Sequence, residues 1–435
     1  MYYWMVLVLL FLAELFYFRI ADRCNIIDKP NERSSHTKVT LRGGGIIFYF
    51  GALAYFLTSG FEYPWFLLAL TLVTFISFVD DIKSTGQMTR LLFHFSAMAM
   101  MFYQWGLFSL SWWWIVIALI VCTGIINAYN FMDGINGITG GYSLVILAAL
   151  AYINKEVVTF VEADFIYTVI CSVLVFCFFN FRKRAKCFAG DVGSVSIAFI
   201  LLFLIGRLII ETEDFSWIVL LSVYGVDSVL TIIHRLMLHE NIGLPHRKHL
   251  YQIMANELKI PHVIVSLAYM TIQTLIIVGY IYYQQYGYIF LIGCILLLSA
   301  IYVLFMKKYF SKILKESGKV TITEEKVQKL LTDIMQGFEK YVKDQGIGDI
   351  SADQYGTYFR QYLQTAEAKQ IITDWVNDLY KDVDIEISEA DLQAMAQELA
   401  AGYLSYAQEK GYADVTKMGE NFAAYLCLLY TSPSP

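Results

Sequence analysis

Proline is scarce in this chain, at 6 of 435 residues, and nothing in the cysteine spacing forms a CxxC pair. The seven cysteines (Cys24, Cys122, Cys171, Cys177, Cys187, Cys294 and Cys427) are scattered, mostly in apolar runs. That pattern indicates neither a zinc ribbon nor a disulfide framework. Charge is thin as well: Asp, Glu, Lys and Arg make up 16% of residues, against about 25% in soluble domains. What fills the space is carbon. The chain is 57% hydrophobic and 16% aromatic, where a soluble protein would be roughly 45–50% apolar. This is the composition of a membrane protein. The first apolar run, YYWMVLVLLFLAELFYF, lacks a basic leader and a small-residue cleavage site. It is expected to remain as a span rather than to be removed as a signal peptide.

A membrane-crossing helix needs about 20 mostly apolar residues. About eleven segments qualify: 2–19, 44–60, 63–79, 91–104, 112–127, 138–153, 164–180, 192–210, 215–235, 261–284 and 287–306, the fourth being the weakest. The expected fold class is therefore all-α, a polytopic membrane domain over residues 1–310. Lys and Arg favour the inner side of a membrane. With the N-terminus outside, one side collects Arg23, Lys29, Arg33, Lys38 and Arg42, then Lys83 and Arg90, then Arg182, Lys183, Arg184 and Lys186, then Arg247, Lys248 and Lys259, and finally Lys307 and Lys308. The other side keeps Lys155 and Arg207. Dropping or adding one helix would scramble this segregation. Nearly all clusters of Asp, Asn, His and Gly fall on the basic side, so a cytoplasmic active site and a cytoplasmic C-terminus are expected.

The charge balance changes near residue 316. From there on the chain has 20 acidic and 10 basic residues, whereas residues 1–315 have 18 and 22. The segment repeats apolar residues at helical spacing and predicts a small soluble acidic helical domain over 316–426. The ending CLLYTSPSP, residues 427–435, shows no structural pattern and is expected to be disordered or non-native.

Five segments on the basic side concentrate polar chemistry. ERSSHTKVTLRGGG brings His36, Lys38 and Arg42 beside three glycines; it fits an anion site, or equally a topology signal followed by a small-residue packing face. FVDDIKSTGQMTRLL opens with Asp80 and Asp81, adjacent carboxylates that repel unless a cation or proton lies between them, or that simply end a helix. NAYNFMDGINGITGG places Asn127, Asn130 and Asp133 three residues apart, on one helical face. Asn136 continues the series. Such oxygen-rich stripes suit a hard cation such as Mg²⁺; a polar helix end is the plainer account. FRKRAKCFAGDVGSVS sets Asp191 at the start of a span behind four cations. It could cap the helix or hold a metal that bridges phosphate oxygens. Phe188 could stack on a base. LPHRKHLYQ supplies His246, Arg247 and His249 as phosphate donors. Asp227, inside the ninth span, is a further candidate.

Taken in order and on one face, RSSHTKVTLRGGG, FVDDIKSTGQMTRLL, NAYNFMDGINGITGG, CFAGDVGS and HRKHLYQ resemble the polyprenyl-phosphate N-acetylhexosamine-1-phosphate transferase family, in its bacterial undecaprenyl-phosphate type. The resemblance covers about residues 1–310. It implies Asp191 as a Mg²⁺ ligand (Mn²⁺ as a substitute) with Asn130 sharing the ion, and Asp133 as a residue needed for activity. It further implies Asp80 and Asp81 as the acidic pair, as base or phosphate organiser. Lys38, Asn136 and Phe188 fall on the nucleotide side, and His246, Arg247 and His249 in a diphosphate-contacting loop. Leu41 stands where the family usually has Pro, and Ala189 where it has Met or Leu. The implied partners are a UDP-N-acetylhexosamine, a polyprenyl phosphate and the bacterial inner membrane, not nucleic acid, with a homodimer admissible.

The implied reaction is attack of the lipid phosphate on the sugar-linked phosphate, with UMP leaving. A phosphate monoester is already largely ionised near pH 7, which favours a single displacement without an obligatory base; a covalent aspartyl-phosphate is the two-step alternative. Two other readings compete. An ion-coupled transporter would place its acids near the bilayer midplane, unlike the span-end acids here. An inactive member could anchor the C-terminal domain. The topology is tested by reporter fusions after residues 60 and 315. They are expected to report opposite sides of the membrane, and equal sidedness would refute the eleven-span arrangement.

Overall fold

The computed structural model describes residues 2–28, 39–83, 85–238, 240, 246–317, 324–346, 358–359 and 361–380. The chain divides into two compact units, residues 1–309 and 310–435. In the first unit, α1 (Tyr2–Arg23) leads to a two-stranded antiparallel ribbon, β1 (Ile27–Asp28) and β2 (Thr40–Leu41), with Ile27 opposite Leu41. Then follow α2 (Ile47–Ser59), α3 (Pro64–Ile82), α4 (Gln87–Trp105), α5 (Trp112–Met132), α6 (Ile138–Glu156), α7 (Ala163–Asn180) and α8 (Gly190–Thr212). After a 3-10 segment, α9 spans Ser222–Met237. The short α10 (Leu250–Gln252) runs into a wide π-type turn over Ile253–Glu257, before α11 (His262–Tyr282) and α12 (Gly287–Ser317).

Among the described residues, nine helical segments are long and apolar enough to cross a membrane. The two expected spans that fall outside this set are instructive. Gly44–Ser59 is apolar but short. The α4 helix has the length, 19 residues, but carries Arg90, His94, Ser96 and Gln104 along it. Two of these, Arg90 and His94, line the cavity described below.

The bundle is organised around α8. This helix is apolar on all sides, and Val195, Ile197 to Ile205 and Leu208 are buried. An all-round apolar helix belongs inside a bundle, and α8 packs on α2, α3, α5 and α6. Aromatic stacking fills the contact with α3: Phe66 lies 4.0 Å from Phe203 and 5.8 Å from Phe199, ring centre to ring centre. Pro64 begins α3 at its first turn, where its missing N–H costs nothing.

At the start of α8 the packing is backbone on backbone. Gly44 N–H donates to Phe188 O at 2.9 Å, and Gly45 N–H to Ala189 O at 3.1 Å. A Cβ added to Gly193 would lie 2.6 Å from Gly45 Cα. These glycines let the β2–α2 turn sit directly on the first turn of α8, which delivers Arg42 to the site.

In the second unit, helices Glu324–Asp344 and Ala366–Tyr380 pack through Ile334, Phe338, Phe359, Tyr362, Ala368 and Trp375. The rest of the expected acidic domain beyond residue 380, including the 427–435 tail, lies outside the described residues.

The Gly45–Gly193 contact makes a stability prediction. Gly193→Val should lower the thermal midpoint of the detergent-purified protein by the equivalent of about 1–3 kcal/mol, the usual cost of overpacking. Gly124→Ala, where a Cβ would meet nothing within 4 Å, should leave the midpoint at or above the parent value. Equal behaviour of the two variants would refute the close approach.

Candidate active site

The C-terminal ends of α3 and α5, the N-terminal ends of α4 and α8, and the segment 246–252 meet around a cavity of about 690 Å³. Its polar wall is made by Asp80, Arg90, Asn127, Asn130, Asp133, Asp191, His246, His249 and Gln252. Its apolar wall includes Met88, Leu91, Phe95, Ile126 and Val195. Four of the sequence motifs therefore meet in one place.

The adjacent acids Asp80 and Asp81 separate. Neighbouring positions on a helix point about 100° apart, so one faces the cavity and the other the bundle. Asp80 lines the cavity. Its Oδ1 accepts from Thr85 N–H at 2.6 Å and from the Thr85 hydroxyl at 2.7 Å, and Oδ2 accepts from Arg90 at 3.1 Å. Asp81 has a fully enclosed side chain. Its Oδ1 accepts from Asp191 N–H at 2.9 Å and pairs with Arg42 Nε at 2.6 Å, while Oδ2 accepts from Val192 N–H at 2.9 Å. Asp81 is thus the N-terminal cap of α8, supplied from another helix. Of the pair expected to act as base or phosphate organiser, Asp80 reaches the cavity, whereas the enclosed Asp81 has the geometry of a positioning residue. The cap is steric as well, since Gly190 has φ +72° and a Cβ there would lie 2.5 Å from Asp81 Oδ2.

Arg42 extends from Asp81 to Asp191, 3.3 Å from its Oδ1. Burial works against the Arg42 charge, but Asp81, Asp191 and Asp28 outweigh it and raise its pKa above the ordinary value. Asp191 is the least committed of these acids. Its second oxygen is 4.0 Å from Arg90, and 22% of the side chain is open.

Asn127 and Asn130 on α5, and Asp133 directly after its last residue, line the cavity as their spacing predicts. Asn130 Oδ1 accepts from the Ser194 hydroxyl at 2.8 Å, and Asp133 Oδ1 from the Thr139 hydroxyl at 2.6 Å. Burial pushes the Asp133 carboxyl up to about 6; the Thr139 hydroxyl opposes this and the nearby Asp81 charge adds to it. Asn136 does not continue the stripe, because α5 ends at Met132. Its amide instead donates to Arg182 O at 2.9 Å, and its own carbonyl accepts from Ser266. It is buried and absent from the cavity wall, so it stitches loops together.

His246 and His249 stand 4.9 Å apart, ring to ring, beside Phe131. Burial, with His249 and Arg235 nearby, pushes His246 down to about 3. It therefore works as a neutral hydrogen-bonding ring. His249 Nδ1 lies 3.4 Å from Asp227 Oδ1, close but without hydrogen-bond alignment. Asp227 also accepts from Leu250 N–H at 3.0 Å and from the Tyr269 hydroxyl at 2.6 Å. Asp227 thus anchors the start of α10 and hence the histidines. Arg247 pairs with Glu257 at 3.5 Å, and neither Arg247 nor Phe188 is in the cavity wall. Lys38 lies outside the described residues. Two wall residues, Arg90 and His94, were missed from the sequence, where Arg90 read as a topology signal. Their four-residue spacing, which puts them on one helical face, was the available clue.

Among the described residues no group of three or more His, Cys, Asp or Glu is arranged to hold a metal. Mg²⁺ asks for less: one or two carboxylates, with water and substrate phosphates completing its shell. The part-open Asp191, Asp80 and the amide oxygen of Asn130 are a hard-oxygen set of that kind.

Residues 63–208 match the model of the family described as glycosyl transferase family 4. The chain is similar to a Bacillus subtilis protein named as a probable undecaprenyl-phosphate N-acetylglucosaminyl 1-phosphate transferase, at 29% identity over 255 residues, covering 54% of this chain and 70% of the relative. It is 26% identical over 269 residues to an Escherichia coli K12 protein named as an undecaprenyl-phosphate alpha-N-acetylglucosaminyl 1-phosphate transferase, covering 54% and 71%. A Mycobacterium leprae relative, named as a decaprenyl-phosphate N-acetylglucosaminephosphotransferase, is 29% identical over 220 residues, covering 42% and 54%.

The different settings of Asp81 and Asp191 predict different costs. Asp81→Asn should destabilise the protein by about 3 kcal/mol, the low end for a broken buried pair, because Arg42 stays partly solvated. Asp191→Asn, which leaves Arg42 its closer partner Asp81 and relieves repulsion from Asp80 and Asp81, should cost clearly less. Thermal unfolding in detergent checks both. A larger loss for Asp191→Asn would overturn the assignment of Asp81 as the structural clamp.

Proposed function

We propose that this chain, whose residues 63–208 match the glycosyl transferase family 4 model, transfers N-acetylglucosamine-1-phosphate from UDP-N-acetylglucosamine to a polyprenyl phosphate and releases UMP. The names of the relatives support the sugar phosphate and the lipid acceptor. The observation that carries the reading is the mixed lining of the cavity. Carboxylates, Arg90 and histidines line it together with the exposed apolar side chains Met88, Leu91 and Phe95. That combination suits a phosphate head on a hydrocarbon tail.

In the proposed step a phosphate oxygen of the acceptor forms a bond to the sugar-bearing phosphorus of the donor. The bond from that phosphorus to UMP breaks, and UMP takes the electron pair. The attacking phosphate needs no proton removed near pH 7, which agrees with the enclosure of Asp81. The work of the protein is therefore positioning and charge compensation. Asp81 holds Arg42 and the first turn of α8. Asp80 holds Arg90 over the cavity. His246 and His249 offer hydrogen bonds to phosphate oxygens. Mg²⁺, or Mn²⁺ in its place, held by Asp191 with Asp80 and Asn130 alongside, would supply positive charge to the diphosphate. The basic loops support a reading in which this site works on the cytoplasmic face of a bacterial inner membrane, at the start of a lipid-linked envelope glycan.

The test is UMP release by purified protein with undecaprenyl phosphate and a small panel of UDP-sugars. Turnover is expected with UDP-N-acetylglucosamine, to require both the lipid and Mg²⁺, and to stop with a chelator. Asp191→Ala should reduce kcat by roughly a thousandfold, the upper range for loss of a preorganised charge-stabilising group. Undiminished turnover in that variant would overturn the metal assignment, and turnover without the lipid would overturn the acceptor.

A further inference from the structure

The polar face of α4 continues past the charged centre. Arg90 and His94 are four residues apart, share a face, and both line the cavity. Facing them, α5 contributes Thr123 and Asn127, again four apart and farther from the loop end of the helix than Asn130 and Asp133. The side chains of His94, Thr123 and Asn127 make no hydrogen bond or ion pair with the protein among the described residues. They are set among Leu91, Phe95, Ile126 and Val195. Polar groups beside these apolar side chains gain from a polar partner, and none of the three bonds to the fold among the described residues.

Their position narrows what that something is. Arg90 marks the end of the charged region, and His94 lies one helical turn, about 5.4 Å, farther along α4. Beyond it the wall turns to carbon. A nucleotide would have to press its ribose and base on Leu91 and Phe95. A prenyl phosphate would place its head at the polar boundary and gain from burying its tail. We propose that His94 and Asn127, with Arg90, bind the phosphate monoester of the acceptor and set how deep it sits. The inference rests on the reading of the site given above. Asn127 and His94 each offer an N–H to a phosphate oxygen, and Arg90 supplies the charge.

The experiment measures separate KM values for donor and acceptor in the full chain, using UDP-N-acetylglucosamine and undecaprenyl phosphate. His94→Ala should raise the acceptor KM roughly ten- to hundredfold, the range for a hydrogen bond to a charged group, and change the donor KM by less than about twofold. Asn127→Ala should act in the same direction, and His94→Gln, which retains an N–H donor, should recover most of the loss. A change confined to the donor KM, or a fall in kcat with acceptor KM unchanged, would overturn the proposal. So would competition by inorganic phosphate as strong as that by farnesyl phosphate, which would assign the pair to free phosphate instead. Failure of the wild type to turn over any panel sugar would count against the proposed function and is distinct from these outcomes.

Discussion

The carboxylate of Asp81 ties together three segments that are far apart in sequence. A helix beginning inside a membrane bundle exposes backbone N–H groups that have no intrahelical partner, and in an apolar setting they must be satisfied. Helix α8 begins after Ala189, which has no side chain to offer. Its own first-turn acid, Asp191, faces the cavity instead. Asp81 fills the gap from α3, taking two α8 N–H groups and Arg42 at once. One enclosed carboxylate thereby releases another for chemistry. The glycines at 45, 190 and 193 are what allow α3, the β2–α2 turn and α8 to come close enough for this.

Much of this was legible in the sequence, and the failures have physical causes. Apolar runs of span length gave the helices, because lipid leaves the backbone few alternatives. The three-residue spacing of Asn127, Asn130 and Asp133 gave a correct face, and the histidines of HRKH gave the opposite wall. Asn136 does not join the cavity wall, because it follows the end of α5, where helical spacing no longer applies. The different settings of Asp80 and Asp81 were not legible, because adjacent positions on a helix point about 100° apart and the sequence does not say which one faces the cavity. Arg90 and His94 were missed because a single Arg in a loop-proximal position satisfies a topology rule without asking which way it points. The role of Asp227 is tertiary; nothing in its local sequence says that it holds the start of α10 across the bundle.

The same logic separates stability from function within the site. Asp81, Asn136 and Asp227 are surrounded and bonded, and their geometry depends on the fold alone. Asp191, Asn127 and His94 retain open polar atoms, and their geometry makes sense with a ligand. Burial and hydrogen-bond saturation thus sort the polar residues of this membrane end into framework and working groups, more sharply than residue type does.

The composition of α4 has a consequence for how the protein is made. A helix with Arg90, His94, Ser96 and Gln104 gains little from entering lipid by itself, since each such group raises the free energy of insertion. Its long contact with α3 offers the polar face a sheltered destination. The α3–α4 hairpin is therefore the natural unit of membrane insertion here, and α4 depends on a more hydrophobic neighbour for its entry. Substitutions on the α3 side of that contact would then act during biogenesis, by lowering the yield of correctly threaded chains, while leaving every cavity residue in place.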